Sequence, residues 1–313
     1  MTLFKTINAP VLILVAGLFM AAPHAVGYTS PIEGGVTETV TNTWVVPDGD
    51  LYVGQTTPNN ALILSNGDIY NTHGFIGSHA GSSNNTVLLT GSRSIWHNTE
   101  GLYLGGHKDG TNWVNGGSGN TLDVFDGWVF VGEMDANIDY NLSESIAVGD
   151  ASGTPEMVIA NGSTVRSSGD SYIGYGTNES GSVEIRGEGS VWEAGHAGST
   201  SYFLYIGRKG SGNKLTISDG GLLDAGVLIG DGPSADNNMV LVTGEGSRLE
   251  GYVEIGSFGS GNRLEVSDGG LVHVERAILG LWNGSDDNSV LVTGTGSAWE
   301  TVSNFGGFIV VGS

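Results

Sequence analysis

The sequence predicts an all-β fold: a single-stranded right-handed parallel β-helix, or β-solenoid, of about ten rungs with no substantial helix. Three observations predict it: a high glycine content, an internal repeat, and a two-residue hydrophobic period inside each repeat. The chain has 313 residues, of which 54 are Gly, 7 are Pro and none is Cys. Because no strict triplet repeats, collagen is excluded, and the lack of cysteine excludes disulfide frameworks, zinc ribbons and thiol nucleophiles.

The repeat organises the chain from about residue 51 onward. Its signature is an apolar residue, any residue, a second apolar residue and then glycine, and it ends at Gly54, Gly105, Gly149, Gly207, Gly256 and Gly312. A related set lies between these and ends at Gly77, Gly132, Gly174, Gly230 and Gly280. The unit is therefore a pair of half-repeats of about 25 residues each.

Within a half-repeat the hydrophobic pattern is that of short strands. Leu215 and Ile217 alternate with Lys214, Thr216 and Ser218, which is typical of a strand with one buried face. Turn-forming pairs interrupt the strands at Asn66-Gly67, Asp126-Gly127, Asn161-Gly162, Asp219-Gly220 and Asp268-Gly269. We expect three strands of about four to six residues in each lap, separated by turns.

An asparagine recurs at one position of the half-repeat. It is an even number of residues away from the buried apolar residues of the following strand, so it should lie on the same face as they do. Its side chain should therefore face inward, where stacked amides can bond to one another along a ladder. We predict a structural role for the members of this ladder, which are Asn60, Asn85, Asn120, Asn213, Asn238, Asn262 and Asn288.

The first segment reads as a targeting signal. Lys5 precedes an apolar run from Ala9 to Ala22, and Ala25-Val26-Gly27 supplies small residues for cleavage. We expect residues 1–27 to be a signal peptide, 28–50 an N-terminal cap, and 51–313 the repeat domain. The last residues begin a new repeat, so we expect the sequence to be a fragment.

The repeat also resembles a known family. The consensus apolar-x-Ile-Gly, then GSGN-x-Leu-x-Ile-SDGG, then NN-x-Val-x-Val-TG-x-GS-x-Trp is clearest at 204–300 and looser over about 50–313. It is similar to the repeat associated with type V secretion passengers and PEP-CTERM proteins. This resemblance implies an autotransporter-like passenger displayed outside a Gram-negative-type cell, with an outer-membrane barrel or other anchor outside this chain. No catalytic residues come with the motif.

Charge and residue placement narrow the candidate sites. The formal charge of −22 disfavours a phosphate-binding surface, so we expect no nucleic-acid partner. Each of three tyrosines lies between the two apolar residues of the repeat signature, so its side chain should point outward from the strand. We therefore predict Tyr52, Tyr103 and Tyr205 as contact residues. The long interval between Gly105 and Asn120 should form a loop at a corner, and it adds His107, Lys108, Asp109 and Trp113. We predict no catalytic, cofactor-binding or metal-binding residues and no cofactor.

These inferences lead to a functional expectation with two alternatives. We expect an exported, non-catalytic cell-surface passenger that acts as a structural stalk or adhesin, with glycans or cell surfaces as partners. A specific glycan-binding module is the second interpretation. A β-helical polysaccharide lyase or hydrolase is the third, although such an enzyme needs basic residues gathered in a groove, and the few Lys and Arg residues are scattered along the repeats.

Overall fold

The structure is a computed structural model, and it describes residues 30–46, 49–109, 112–132, 145–195, 202–301 and 308–311. The predicted signal peptide lies outside these ranges. In the described residues the chain is all-β and contains no helix. The strands are β1 Thr37–Val40, β2 Thr43–Val45, β3 Leu51–Val53, β4 Ala61–Ser65, β5 Asp68–Ile76, β6 Thr86–Gly105, β7 His107–Asp109, β8 Asn112–Val114, β9 Thr121–Val131, β10 Ser145–Gly149, β11 Glu156–Ala160, β12 Thr164–Ser167, β13 Ser171–Ile173, β14 Ser182–Arg186, β15 Val191–Ala194, β16 Leu204–Ile206, β17 Lys214–Ser218, β18 Leu222–Ile229, β19 Met239–Thr243, β20 Arg248–Ile255, β21 Arg263–Ser267, β22 Leu271–Leu279, β23 Ser289–Val292, β24 Ala298–Thr301 and β25 Phe308–Val311.

Strands pair in parallel with the equivalent strand of the next half-repeat and form three ladders. The first ladder runs β1, β4, β6, β9, β11, β14, β17, β19, β21, β23. The second runs β2, β5, β6, β9, β12, β15, β18, β20, β22, β24. The third runs β3, β5, β6, β10, β13, β16, β18, β20, β22, β25.

The predicted fold class, a single-stranded right-handed β-helix of about ten rungs, is wrong. That prediction assumed short strands separated by turns, whereas β5, β6, β9, β18, β20 and β22 are 8 to 20 residues long and each belongs to two or three ladders. The ladders therefore fuse into one sheet of 23 strands. Its pairing closes on itself through β6, β9, β12, β15, β18, β16, β13 and β10. By strand connectivity the sheet is a closed parallel barrel of eight strands, with the other strands outside it.

The alternation expected from the sequence sets which side chains form the core. Leu215 and Ile217 of β17 are fully buried, whereas Lys214 is exposed. The buried apolar side chains form one continuous cluster that extends from Ile32 to Ala277. Asp219 has a φ of 52°, a left-handed conformation that Asp and Asn adopt more readily than most residues. The predicted Asp-Gly turn therefore lies where this strand ends.

Strand pairing starts within the segment assigned to the cap. β1 pairs with β4 and β2 pairs with β5, and Val40 and Trp44 are buried. Elsewhere, the long interval after Gly105 contains the antiparallel hairpin of β7 and β8. The described residues include no helix long and apolar enough to cross a membrane.

Candidate functional site

The third ladder carries a column of outward positions, with one residue from each of its first seven strands. Strand register places these residues directly next to one another in the order Tyr52, Phe75, Tyr103, Ala147, Tyr172, Tyr205 and Leu228. We call this set the aromatic column. Ala147 divides its rings into a first stack of three and a second stack of two.

The first stack consists of nearly parallel rings. The centroids of Tyr52 and Phe75 are 4.7 Å apart with an interplanar angle of 9°, and those of Phe75 and Tyr103 are 5.2 Å apart at 13°. These distances are close to the spacing of about 4.8 Å between neighbouring strands. The spacing of the strands therefore sets the spacing of the rings in this stack.

The second stack is covered by basic side chains. The rings of Tyr172 and Tyr205 lie 5.3 Å apart, and Tyr175 meets Tyr172 edge to face at 4.8 Å. The Arg208 guanidinium carbon lies 4.6 Å from the Tyr205 centroid, and the Lys209 ammonium lies 6.0 Å from that of Tyr175. Both distances suit cation–π contacts. Two of the few basic residues of this acidic chain are thus held on aromatic rings.

A second set of aromatic residues widens this face beside the column. Phe203 makes edge contacts with Tyr205 at 6.3 Å and with Tyr252 at 6.0 Å. Tyr252 in turn lies under the guanidinium of Arg276, 4.6 Å from its centroid. We call the aromatic column together with Tyr175, Phe203 and Tyr252 the aromatic face.

Carboxylates accept hydrogen bonds from the tyrosine hydroxyls of this face. The hydroxyl of Tyr52 donates to Asp50 at 3.2 Å, and that of Tyr172 donates to Asp170 at 3.3 Å. Burial, and then the neighbouring Asp50 carboxylate, raise the pKa of Tyr52 to about 12. Burial and the hydrogen bond to Glu254 likewise raise the pKa of Tyr252 to about 12. These hydroxyls consequently remain protonated donors at neutral pH.

One histidine links two carboxylates at the edge of the first stack. His73 Nδ1 lies 2.8 Å from Asp50 Oδ1, and its Nε2 lies 3.1 Å from Glu100 Oε2. The imidazole ring also contacts Phe75, at 5.8 Å between centroids. The imidazole of His73 therefore bridges the carboxyl groups of Asp50 and Glu100 at this edge.

The predicted contact residues fall into two groups. Tyr52, Tyr103 and Tyr205 lie together in the aromatic column and are half-buried. His107, Lys108, Asp109 and Trp113 lie on the β7–β8 hairpin, where Lys108 pairs with Trp113, but their side chains are outside the described part of the structure. A contact role for either group stays a prediction.

Five aromatic residues of this face were not singled out from the sequence. These are Phe75, Tyr172, Tyr175, Phe203 and Tyr252. The first two occupy the variable position of the repeat signature, in Phe75-Ile76-Gly77 and Tyr172-Ile173-Gly174. Comparing that position across both sets of half-repeats, and not within one set, would have identified these two residues.

The asparagines of the predicted ladder lie inside the sheet, away from the aromatic face. Asn60 Nδ2 donates to Asn85 Oδ1 at 2.9 Å, and Asn85 Nδ2 donates to Asn120 Oδ1 at 3.0 Å. In a second run the Nδ2 of Asn213 donates to Asn238 at 2.8 Å, and that of Asn238 donates to Asn262 at 3.0 Å. Each accepting Oδ1 also binds the backbone N–H of the preceding asparagine. The last member, Asn288, accepts from the backbone N–H of Asn262 at 2.8 Å.

The two asparagine runs are separated by Pro155 and Gly181, which hold the equivalent positions directly before β11 and β14. Gly181 still donates its backbone N–H to Asn213 Oδ1 at 2.8 Å.

Among the residues that the structure describes, no group of three or more His, Asp or Glu side chains could hold a metal ion.

Comparisons with known proteins show no family and give only weak structural similarity. No family model and no curated protein matches the chain. Among solved structures, the chain is similar to the crystal structure of the TibC-catalysed, hyper-glycosylated TibA55-350 fragment, with 15% sequence identity. The alignment covers 89% of this chain and 94% of the other, at a TM-score of 0.25. A similarity this low carries no argument about the function of this chain.

Proposed function

We propose that this protein is an exported, non-catalytic cell-surface adhesin that contacts glycans through its aromatic face. The observation that carries the proposal is the register of that face: four half-buried tyrosines of the column come from strands of the same ladder, and Phe75, which is buried, is stacked between two of them. Rings held at fixed spacing lose little conformational entropy when a ligand binds. Tyrosine suits such a surface because each ring combines an apolar body with a polar hydroxyl.

The polar groups around the rings fit a sugar ligand. A saccharide presents apolar C–H faces and many hydroxyl groups, and it needs both flat apolar partners and hydrogen-bonding groups. The aromatic face offers stacked rings beside Asp50 and Asp170, together with the cationic groups of Arg208 and Arg276. Outward aromatic pairs also stabilise neighbouring strands, so the same side chains support the sheet that displays them.

Binding can be tested with one double variant. The mature protein and Tyr172→Ala/Tyr205→Ala are applied to a panel of immobilised neutral and acidic polysaccharides, and retention is measured. We expect the variant to bind at least about tenfold more weakly, because two central aromatic contacts are removed. Circular dichroism of each protein shows whether the fold is retained.

Tyr70→Ala is the matched control. Tyr70 belongs to the second ladder, is 38% exposed and contacts His97 edge to face at 5.8 Å. Its replacement should leave retention unchanged. Equal retention by the double variant, or equal loss in the control, would contradict the proposal. New reducing or unsaturated sugar ends in the same assay would instead favour the polysaccharide-degrading alternative.

A further inference from the structure

Two buried carboxyl groups lie at the gap in the asparagine ladder. The side chains of Asp150 and Glu179 are each only 1% exposed. Asp150 belongs to the half-repeat that has Pro155 at the ladder position, and Glu179 belongs to the next half-repeat, which has Gly181 there. Both half-repeats that lack the asparagine thus carry an almost completely buried acid.

The glycines that end the repeat signature show where these acids lie. In six half-repeats, a Cβ atom added to this glycine would lie 2.0–2.3 Å from the ladder asparagine of the next half-repeat; the glycines are Gly54, Gly77, Gly174, Gly207, Gly230 and Gly256. A Cβ atom on Gly105 would instead lie 3.0 Å from the Cβ of Asp150, and one on Gly149 would lie 3.3 Å from Oε2 of Glu179. The two acids therefore lie on the inner side of the same corner, where the amides lie in those six half-repeats.

Backbone pairing brings the two acids to neighbouring levels of this corner. Asp150 forms an antiparallel bridge with Ser180, in which its N–H donates at 3.2 Å and its carbonyl accepts at 3.1 Å. Glu179 directly precedes Ser180, and its Oε2 accepts from the backbone N–H of Gly176 at 2.8 Å. The Glu179 carboxyl group is thus held beside Gly149, the residue that precedes Asp150.

The Asp150 carboxyl group lacks the donors that an ionised, buried carboxylate needs. Its Oδ2 accepts from the hydroxyl of Ser152, but its Oδ1 is buried and has no hydrogen-bond partner in the described structure. No basic side chain of the described residues forms an ion pair with Asp150. An asparagine amide both donates and accepts, whereas a carboxylate only accepts. Acids in place of the amides therefore bring acceptors together without donors, and an unpaired buried charge is costly.

We propose that Asp150 and Glu179 bind a calcium ion at this corner. Calcium takes roughly six to eight oxygen ligands in flexible geometry, and these include carboxylates, backbone carbonyls and water. The two carboxylates would supply the negative charge. Carbonyl oxygens of the corner and water would complete the coordination, so a third acidic side chain is not required. Ser152 is exposed, so the corner reaches the surface of the protein there.

A proton shared between the two acids is the competing way to reduce their charge. It would hold an oxygen of one carboxyl group within hydrogen-bond distance of an oxygen of the other. Among the described contacts, no hydrogen bond joins Asp150 to Glu179, and Asp150 Oδ1 has no partner at all. A cation can lie between oxygens that do not contact each other, and this favours calcium over the proton.

The test is calorimetric titration of the calcium-free full chain with calcium chloride. We expect one saturable site per chain, and Asp150→Asn/Glu179→Gln should bind calcium at least about tenfold more weakly, because both charged ligands are removed. Calcium should also raise the thermal midpoint of the unmodified chain by about 3 °C or more, but not that of the variant. Amides occupy this side of the corner in other half-repeats, so the variant should fold, which circular dichroism checks.

Asp224→Asn/Glu250→Gln is the matched control. It makes the same two substitutions at acids that are neighbours in strand register on the outside of the sheet. Its calcium affinity and calcium-induced thermal shift should equal those of the unmodified chain. Absence of saturable binding, binding that the Asp150/Glu179 variant retains, or an equal loss in the control would overturn the proposal. So would a gain in stability of the Asp150/Glu179 variant with no response of either protein to calcium, which would indicate the shared proton.

Discussion

The asparagine ladder can be tested at its most connected member, Asn238. Its Oδ1 accepts from both the backbone N–H and the Nδ2 of Asn213, at 2.9 and 2.8 Å, and all of these groups are buried. Asn238→Ala would leave two buried donors unsatisfied, at about 1–3 kcal/mol each, so we expect the free energy of unfolding to fall by about 2–6 kcal/mol. With a denaturant slope of about 3 kcal/mol/M, the urea midpoint should fall by about 0.7–2 M.

The control for this variant is Asn288→Ala. Asn288 is half-buried and accepts only the backbone N–H of Asn262, so its replacement leaves a single donor unsatisfied. Urea unfolding of both variants, followed by far-UV circular dichroism, gives the two midpoints. A shift for Asn238→Ala no larger than that for Asn288→Ala would refute the argument that the buried amide contacts stabilise the fold.

Three further predictions concern other described side chains. Trp96→Phe should destabilise the fold more than Trp192→Phe, by about 1–3 kcal/mol in urea unfolding. The indole N–H of Trp96 donates to a buried amide at 2.7 Å, whereas the buried N–H of Trp192 has no hydrogen-bond partner among the described residues. Asp224→Asn should raise the thermal midpoint at pH 7, since burial and flanking carboxylates raise the pKa of Asp224. The gain should shrink as the pH falls and vanish below the ordinary aspartate value of 3.8, where the wild-type carboxyl is protonated in the folded and the unfolded state. The exposed Glu245→Gln serves as its control, and an equal gain there would refute the explanation. Spectrophotometric titration should show the Tyr252 hydroxyl ionising near pH 12. The contribution of this hydroxyl to stability is fully present below the pKa of tyrosine in the unfolded chain, about 10, and is lost as the pH rises from there through 12. Tyr252→Phe should reduce this alkaline loss of stability.

The local features of the strands could be predicted because they depend on neighbouring residues. Alternation correctly predicts that Leu215 and Ile217 are buried and that Lys214 is exposed, although Ser218 at the end of the strand is buried as well. Asp219 and Asp268 correctly mark turns because they tolerate a left-handed backbone, with φ of 52° and 51°. Both inferences need only the side-chain period and the conformational preferences of single residues.

The strand connectivity could not be predicted in the same way. The sequence has glycines near many expected corners, but a glycine does not determine whether hydrogen bonding stops at a bend. β6 continues through Gly91 with only a register shift between Thr90 and Ser94. This continuity depends on backbone contacts with β9, which lie about 35 residues away, as in the pairing of Thr86 with Thr121. The fused sheet is therefore a property of long-range pairing.

The candidate site was predicted in part. Tyr52, Tyr103 and Tyr205 could be grouped by parity, and the structure places all three in one column. The cationic covering of the second stack could not be foreseen, because the guanidinium of Arg208 reaches the ring of Tyr172 on the preceding strand, at 5.9 Å. Such a contact depends on side-chain direction at a corner, which the repeat signature does not specify.

The replacement of asparagine by Pro155 and Gly181 has a consequence for how the molecule comes apart. Proline has no backbone N–H and glycine has no side chain, so these two strands are joined to their neighbours here without any amide cross-link between side chains. We therefore expect the asparagine runs on either side to respond to unfolding as separate cooperative blocks. Mechanical pulling or brief protease treatment should therefore divide the protein first around residues 155–181, and leave an amino-terminal and a carboxy-terminal half that each survive longer than the junction between them.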